Sequence, residues 1–309
     1  MLELVIIVNV TRRQHTVPRT YLKNFSEKRR KEYYLYTFEK RSGRIHENNI
    51  KNAAVEKDWY TLDALENKLA WENFYATEIE TRYIHVEKLM RTACSALVTN
   101  QSNVIDDITK AETSIIMIYQ LFRGRVARKY ADLFAARVLP QIIGAAKEDI
   151  GKSLNEDEFA GVVEKVSSEN FKKQIYAEVL TDPKRLLPYA REIANRCWVL
   201  FRIMGDEEFI TSDNPVAVGS INKSDSSLSH LAFLNSKNAI HYPISPKLMI
   251  AAYDKNLFLG ALQEYDGSLV LLNNKTERSY IDAVNKHMAE QSYSQVFAKS
   301  RKELKRACK

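Results

Sequence analysis

Hydrophobic and polar positions divide the 309-residue chain into three stretches. In the first, to about residue 60, "YYLYTF" (33–38) is dense in aromatics and threonine. "KRSGRIHE" (40–47) then supplies a glycine turn and a return strand, which predicts a hairpin. From 61 to 204 the spacing turns helical. Leu62, Leu65, Leu69, Phe74, Ile79, Tyr83, Val86 and Leu89 mark one helix over 61–93. A second is predicted over 106–139, capped by Asp106 or Asp107 and ending near Pro140. "SLNE" (153–156) fits a capping box that opens a third, and Pro183 and Pro188 punctuate the approach to a fourth. "CWVLFRIM" (197–204) is a buried run, either strand or helix end.

The last stretch, 205–309, returns to strands. "EEFITSDNPVAVG" (207–219) reads as strand, turn, strand, and "AIHYPISPKLMIAAYD" (239–254) as a strand pair broken by prolines. Between them, the serine-rich 220–238 is a loop or lid candidate. A closing helix and a short strand are predicted over 274–298. The fold class that follows is α+β: a mixed sheet built from the two β-rich ends, with a long helical insertion between them.

Composition narrows the class. At 45% hydrophobic and 28% charged residues, the chain is that of a packed domain rather than a disordered one. Three distant cysteines, Cys94, Cys197 and Cys308, form no CxxC, which excludes a zinc ribbon and suits a reducing cytoplasm. "MLELVIIVNV" is apolar but short, lacks the marks of a signal peptide, and reads as a first strand or an extension before Thr11. No window approaches a membrane span. No glycine-rich nucleotide loop is present, which disfavours ATP-driven chemistry, and no PD-(D/E)xK or HNH spacing marks a metal-dependent nuclease, so no cofactor and no metal are expected. The net charge of +7 is uneven: residues 1–60 carry 13 Lys/Arg against 7 Asp/Glu, and residues 299–309 carry 6 against one. Two basic ends on a mildly acidic body would steer a polyanion, or would be a solvated surface with a frayed tail.

Four constellations could carry chemistry. In "RRQHTVPRTYLKNF" (12–25), Pro18 fixes its own φ and pushes Val17 extended, so His15 and Val17 face one way and Gln14 and Thr16 the other. His15 can exchange protons near neutral pH, Gln14 can match a base edge or sugar hydroxyl, and Arg19 offers a fork for phosphate. The structural alternative is that His15 satisfies a carbonyl and Arg19 pairs with a carboxylate. In "FITSDNP" (209–215), Asp213 is either an Asx turn or a carboxylate presented at a strand end beside Thr211, Ser212 and Asn214. In "QLFRGRVARK" (120–129), Arg123, Arg125, Arg128 and Lys129 form a basic cluster, joined by Arg12 and Arg13 as candidate DNA contacts. In "EIETRY" (78–83), Glu80 is either paired with Arg82 or Arg123, or a second catalytic carboxylate.

"QHTVPRTYLKNF", "FITSDNPV" and "YPISPKLMI", in that order, resemble the bacterial family known as domain of unknown function 4238, over about residues 14–295. That resemblance implies a central helical region and a final Asn-bearing helix. It also implies an association with phage defence, including excision of modified bases from phage DNA. The expected function is then a DNA glycosylase, with glucosylated hydroxymethylcytosine as candidate substrate. Asp213 would be its catalytic carboxylate and His15 the acid for the leaving base, with Gln14, Arg19, Thr211, Ser212 and Asn214 binding substrate. The Gln14–His15 strand and the SDNP turn should then meet at one cleft. A metal-dependent nuclease and a non-enzymatic nucleic-acid or ligand sensor are the alternatives. DNA is the expected partner and a membrane is not; the oligomeric state is left open.

Overall fold

The computed structural model describes residues 13–59, 70–95, 104–149, 155–220, 234–273 and 275–309. The leading apolar segment and Arg12, the first turns of the predicted 61–93 helix, Ser153 and most of the 220–238 loop lie outside these. In chain order the elements are β1 (Arg13–His15), α1 (Arg19–Lys23), β2 (Glu27–Arg29), β3 (Glu32–Glu39), β4 (Arg44–Asn49) and β5 (Val55–Lys57). A helical series follows: α2 (Ala70–Phe74), α3 (Tyr83–Ser95), α4 (Asp107–Arg123), α5 (Arg125–Asp149), α6 (Glu156–Ser167), α7 (Glu169–Thr181) and α8 (Pro183–Ala194). The chain then forms β6 (Cys197–Ile203), β7 (Thr211–Ser212), β8 (Ala217–Ser220), β9 (Asn238–Ser245), β10 (Leu248–Tyr253) and β11 (Ser268–Leu272). It ends with α9 (Lys275–Gln291), β12 (Gln295–Ala298) and α10 (Arg301–Ala307).

The architecture is α+β, and the two ends of the chain do share a sheet. That sheet runs β2-β3-β12-β7, with β4 on the other edge of the β3 hairpin. A second sheet runs β11-β6-β10-β9-β8, and among the described residues β1 and β5 form a two-stranded sheet. "CWVLFRI" resolves as a strand: β6 lies inside the second sheet, antiparallel to β10 and parallel to β11. A strand buried on both faces reads as a continuous apolar run, which is why its sequence alone does not separate strand from helix. The SDNP turn switches the chain between sheets, since β7 pairs with β12 and β8 with β9.

Three helical expectations change. The predicted 106–139 helix is two helices, because Gly124 takes an extended conformation (ψ 166°) and ends α4. The cap is as expected: Asp106 accepts from Thr109 N–H at 2.6 Å. α5 then runs through Pro140 to Asp149. The proline removes one N–H donor, and the carbonyl it strands, on exposed Ala136, is where water can reach it. The third helix opens two residues later than "SLNE" implies: Asn155 and Glu158 form the reciprocal box, each side chain accepting the other's N–H at 2.9 Å. The basic tail is also ordered. Ser300 caps α10, and Leu304 is fully buried against a cluster that includes Tyr36 and Phe38 of β3.

The two five-stranded sheets are joined through Tyr21 of α1. Its ring stacks on Tyr242 of β9, with centroids 5.4 Å apart and planes 8° from parallel. Its hydroxyl lies 2.6 Å from the Pro243 carbonyl and 2.7 Å from the Thr211 hydroxyl. A carbonyl only accepts, so Tyr21 spends its proton on Pro243 and Thr211 donates to Tyr21. Asn24, one turn on, donates to the Ile244 carbonyl at 3.0 Å. Tyr21→Phe keeps the stacking but leaves buried polar groups on both sheets short of a partner, at a cost of roughly 1–3 kcal/mol. The expected result is a lower urea midpoint with an unchanged m-value; an unchanged midpoint would show that the hydroxyl joins nothing.

Candidate functional site

The Gln-His motif builds one wall of a small pocket. β1 pairs antiparallel with β5, Gln14 opposite Glu56 and His15 opposite Val55. Thr16 N–H continues the register to the Ala54 carbonyl at 2.9 Å, and Pro18 then starts α1. The last turn of α4 holds the strand from the other side. Gln120 donates to the Thr16 carbonyl at 3.0 Å, and Arg123 donates to the His15 carbonyl at 2.5 Å. Facing the strand, Glu72, Tyr75, Ala76 and Glu80 share one helical face at i, i+3, i+4 and i+8. A π-turn (Tyr75–Ile79) separates the two glutamates, a feature frequent at functional sites. The cavity these groups enclose, with His15, Arg19 and Arg123, has a volume of about 130 Å³.

Two carboxylates and two guanidiniums thus share one small space. Gln14 is buried and donates to Glu72 Oε2 at 3.1 Å. Burial raises the pKa of Glu72 above the ordinary carboxylate value; the Gln14 bond and the charge of Arg123 pull it down, and Glu80 pushes it further up. Arg123 is 3% exposed and stacks on the Tyr75 ring at 4.3 Å. It is therefore part of the pocket wall and not a DNA-facing residue, as its place in the basic cluster had implied. Arg82 pairs with Glu112, not Glu80. Arg19 is exposed where it lines the pocket.

His15 is corrected as an acid. Its Nε2 lies 3.1 Å from the Ile50 carbonyl, so that nitrogen carries the hydrogen and Nδ1 the lone pair. Burial, first, and the charges of Arg19 and Arg123 lower its pKa to about 4. At neutral pH it is a neutral imidazole that accepts or orients, and it has no proton to give a leaving group.

Asp213 is corrected more fully. It is absent from the pocket, and its carboxylate closes a clamp on the segment before β12. Oδ1 accepts from Tyr293 N–H at 2.8 Å. Oδ2 accepts from Ser294 N–H at 2.7 Å, the Ser294 hydroxyl at 2.8 Å and Gln295 N–H at 3.0 Å. Burial raises its pKa, against the pull of these donors. The neighbours are also committed. Thr211 serves Tyr21, the Ser212 hydroxyl lies within bonding distance of Asn214 N–H and carbonyl, and the Asn214 amide donates to Gln291 at 3.3 Å. The Gln-His strand and the SDNP turn do come close: the Asp213 carbonyl lies near Gly124, and Ala54 N–H donates to the Gln295 side chain at 3.0 Å. The pocket lined by His15 and Arg19 includes no residue of the SDNP turn.

The basic cluster divides. Arg125 pairs with Glu56 and lies over Tyr293, 5.2 Å from its centroid. Arg128 lies over Trp59 at 4.6 Å, and Lys129 is exposed. Arg13 is exposed and donates to Asn52 at 2.7 Å. Glu72 and Tyr75 are site residues that the sequence reading passed over. Their signal was the shared helical face with Glu80, which only a partner surface makes meaningful. Among the described residues, no three His, Cys, Asp or Glu side chains gather as a metal site. No described helix is long and apolar enough to cross a membrane.

Two outcomes follow. Asp213→Asn puts an amide N–H₂ against N–H donors, so it should lower the unfolding free energy by roughly 2–3 kcal/mol in urea titration; an unchanged midpoint would return Asp213 to the catalytic candidates. For His15, the folded state resists a proton that the unfolded chain takes at the ordinary value of 6.5. Its stabilising effect is therefore complete above that pH and is lost as pH falls toward about 4. His15→Gln should make the loss of stability over that window shallower; an equal slope would show that the buried imidazole is protonated in the fold.

No curated protein and no solved structure matches the chain. A family model does, over residues 13–302, from the strand that carries Gln14 and His15 into α10. A match over nearly the whole chain takes in the Gln-His strand, the helical region and the SDNP turn together, and the chain belongs to the family described as protein of unknown function (DUF4238).

Proposed function

We propose that the protein is a hydrolase that cleaves the N-glycosidic bond of a modified base in DNA, with the reaction centred on the His15–Glu72–Glu80 pocket. The observation that carries this reading is the pair of glutamates in one small, half-open pocket, one of them raised in pKa by burial. Glycoside hydrolysis uses such a pair: one carboxyl protonates the leaving group while another supports the oxocarbenium-like centre or activates water. Glu72 fills the acid's role. Its proton goes to the departing base as the bond to C1′ breaks, and a water adds to that carbon and gives up a proton to the Glu80 carboxylate. Glu80 and neutral His15 face the same centre, and Arg19 and Arg123 offset the carboxylate charge. Asp213 has no part in the step; it holds the turn.

The cavity's 130 Å³ is the space of roughly four waters, enough for the reacting edge of a sugar but not a whole nucleotide. The remainder of an extruded nucleotide would lie outside it, toward exposed Arg19. Arg13, Arg128 and Lys129 are the cations left to follow the phosphates. A defence role against phage DNA, in a reducing cytoplasm, accords with the three free cysteines and with the resemblance from which it was drawn.

The test is release of abasic sites, revealed by alkali, from DNA carrying glucosylated hydroxymethylcytosine and from unmodified DNA. Glu72→Gln should cut base release by roughly 10²–10⁴-fold while DNA binding is kept. Because the acid works protonated, wild-type release should fall as pH rises through the raised pKa of Glu72, and the residual rate of Glu72→Gln should lack that limb. Strand cutting without prior abasic sites, or full activity in Glu72→Gln, would defeat the reading.

A further inference from the structure

The second sheet has a face that the candidate site does not use. Along β9, Tyr242 turns toward Tyr21, and its neighbour His241 turns to the opposite side. There His241 joins Val199 and Phe201 of β6, Tyr253 of β10 and Val270 of β11, and α9 crosses over them with Tyr280, Val284 and His287. Part of this interface is filled: Met249, Ala251, Ile203 and Leu272 pack on Ile281 and Val284. The rest is a half-open cavity of about 910 Å³. That is the size of a site for a drug-sized ligand, and much larger than the His15 pocket.

Its interior is apolar and aromatic, with a few hydrogen-bonding groups and no charge at its floor. The Phe201 and Tyr280 rings meet at 5.2 Å. The Tyr253 and Tyr280 hydroxyls are 3.2 Å apart, so one donates to the other and a hydroxyl hydrogen remains to be given. The His241 ring stands at 6.4 Å, edge to face, from Tyr253, Tyr280 and His287 alike. Neither His241 Nδ1 nor His287 Nε2 has a hydrogen-bond partner among the described residues. Burial lowers the pKa of both imidazoles, so each remains a neutral donor and acceptor. Gly219 seats His287: a Cβ there would stand 2.4 Å from Nε2. Charged lining groups, Lys286 and Glu290, are confined to the exposed side of α9.

We propose that this cavity is a second ligand site, which takes an uncharged heteroaromatic molecule of about nucleoside size. Stacked and edge-on rings suit a planar guest. Neutral phenols and imidazoles pair with a ring edge that both donates and accepts, and without a buried cation they would leave an anion unpaired. The site stands apart from the glutamate pocket, on the other face of the sheet, so it does not depend on the hydrolase reading.

Calorimetric titration of the full chain with adenosine, cytidine, indole and adenosine monophosphate tests it. At least one of the three uncharged probes should bind saturably at a single site by millimolar concentration, and the monophosphate should bind at least about tenfold more weakly than adenosine. Ala283→Trp, on the exposed side of α9, fills the mouth and should weaken binding at least about tenfold. His241→Phe keeps the ring but removes its nitrogens, and should weaken the nucleosides more than indole. Circular dichroism of both variants shows whether they fold. Failure of all three uncharged probes, binding indifferent to both variants, or a monophosphate that binds as well as adenosine would each overturn the proposal. Base release by Ala283→Trp separates this outcome from failure at the glutamate pocket, which that residue does not touch.

Discussion

The Tyr21 hydroxyl has one proton to give, and the structure depends on where it goes. It goes to Pro243, which leaves the oxygen to accept from Thr211. Those partners belong to segments more than 180 residues away in the chain, on different sheets. The ring between them is fully buried and stacked on Tyr242. A buried hydroxyl with both bonds made is worth far more than one with neither, because its neighbours otherwise lose partners where water cannot replace them. The same short helix carries the Gln-His strand at its start. Whatever fixes Tyr21 therefore fixes where His15 stands relative to the helical insertion.

The three sequence motifs can be understood from that constraint. Tyr21, Thr211 and the Tyr242–Pro243 pair each lie within or beside one of them. Their polar residues serve mainly to join the sheets, and the Asp213 clamp does the same for the chain's last strand. A motif that is dense in Ser, Asp and Asn looks like chemistry because the same groups that orient water also satisfy a tight turn. What separates the two uses is whether any acceptor capacity is left over. For Asp213 both oxygens are committed. Glu72 accepts from Gln14, and its carboxylate lines the pocket.

Much of the fold was legible where periodicity or capping dictated it. The β3–β4 hairpin, the Asp106 cap, the α+β class and the shared sheet all follow from local pattern and from strands lying at both ends of the chain. The break at Gly124 was legible as a cost but not as a boundary, since glycine within a helix and glycine between two helices read alike. The pocket was half legible. His15, Arg19 and Glu80 stood out by type, but Glu72 looks like any solvated helix glutamate until Gln14, from 58 residues earlier, is laid against it. Arg123 misled for the converse reason: a basic run on a helix reads as surface, and only the packing of α4 against β1 buries one member of it.

Helix α9 shows how few elements hold the surroundings of the second sheet in place. Asn285 of α9 accepts from Ile210 N–H at 3.1 Å and donates to the Glu208 carbonyl at 2.8 Å, fixing the strand that leads into SDNP. Gln291 bonds the Val218 N–H and carbonyl with its own amide, and its backbone carbonyl receives Asn214. Between those points α9 presents Tyr280 and His287 to the large cavity. The helix thus meets the turn through one set of contacts and the cavity through another. A guest that shifted α9 would have to break buried amide bonds to the turn, each costly to leave unmade. α9 therefore meets the sheet through Ile281 and Val284, is tied to the SDNP segment through Asn285 and Gln291, and borders the cavity along the same interface.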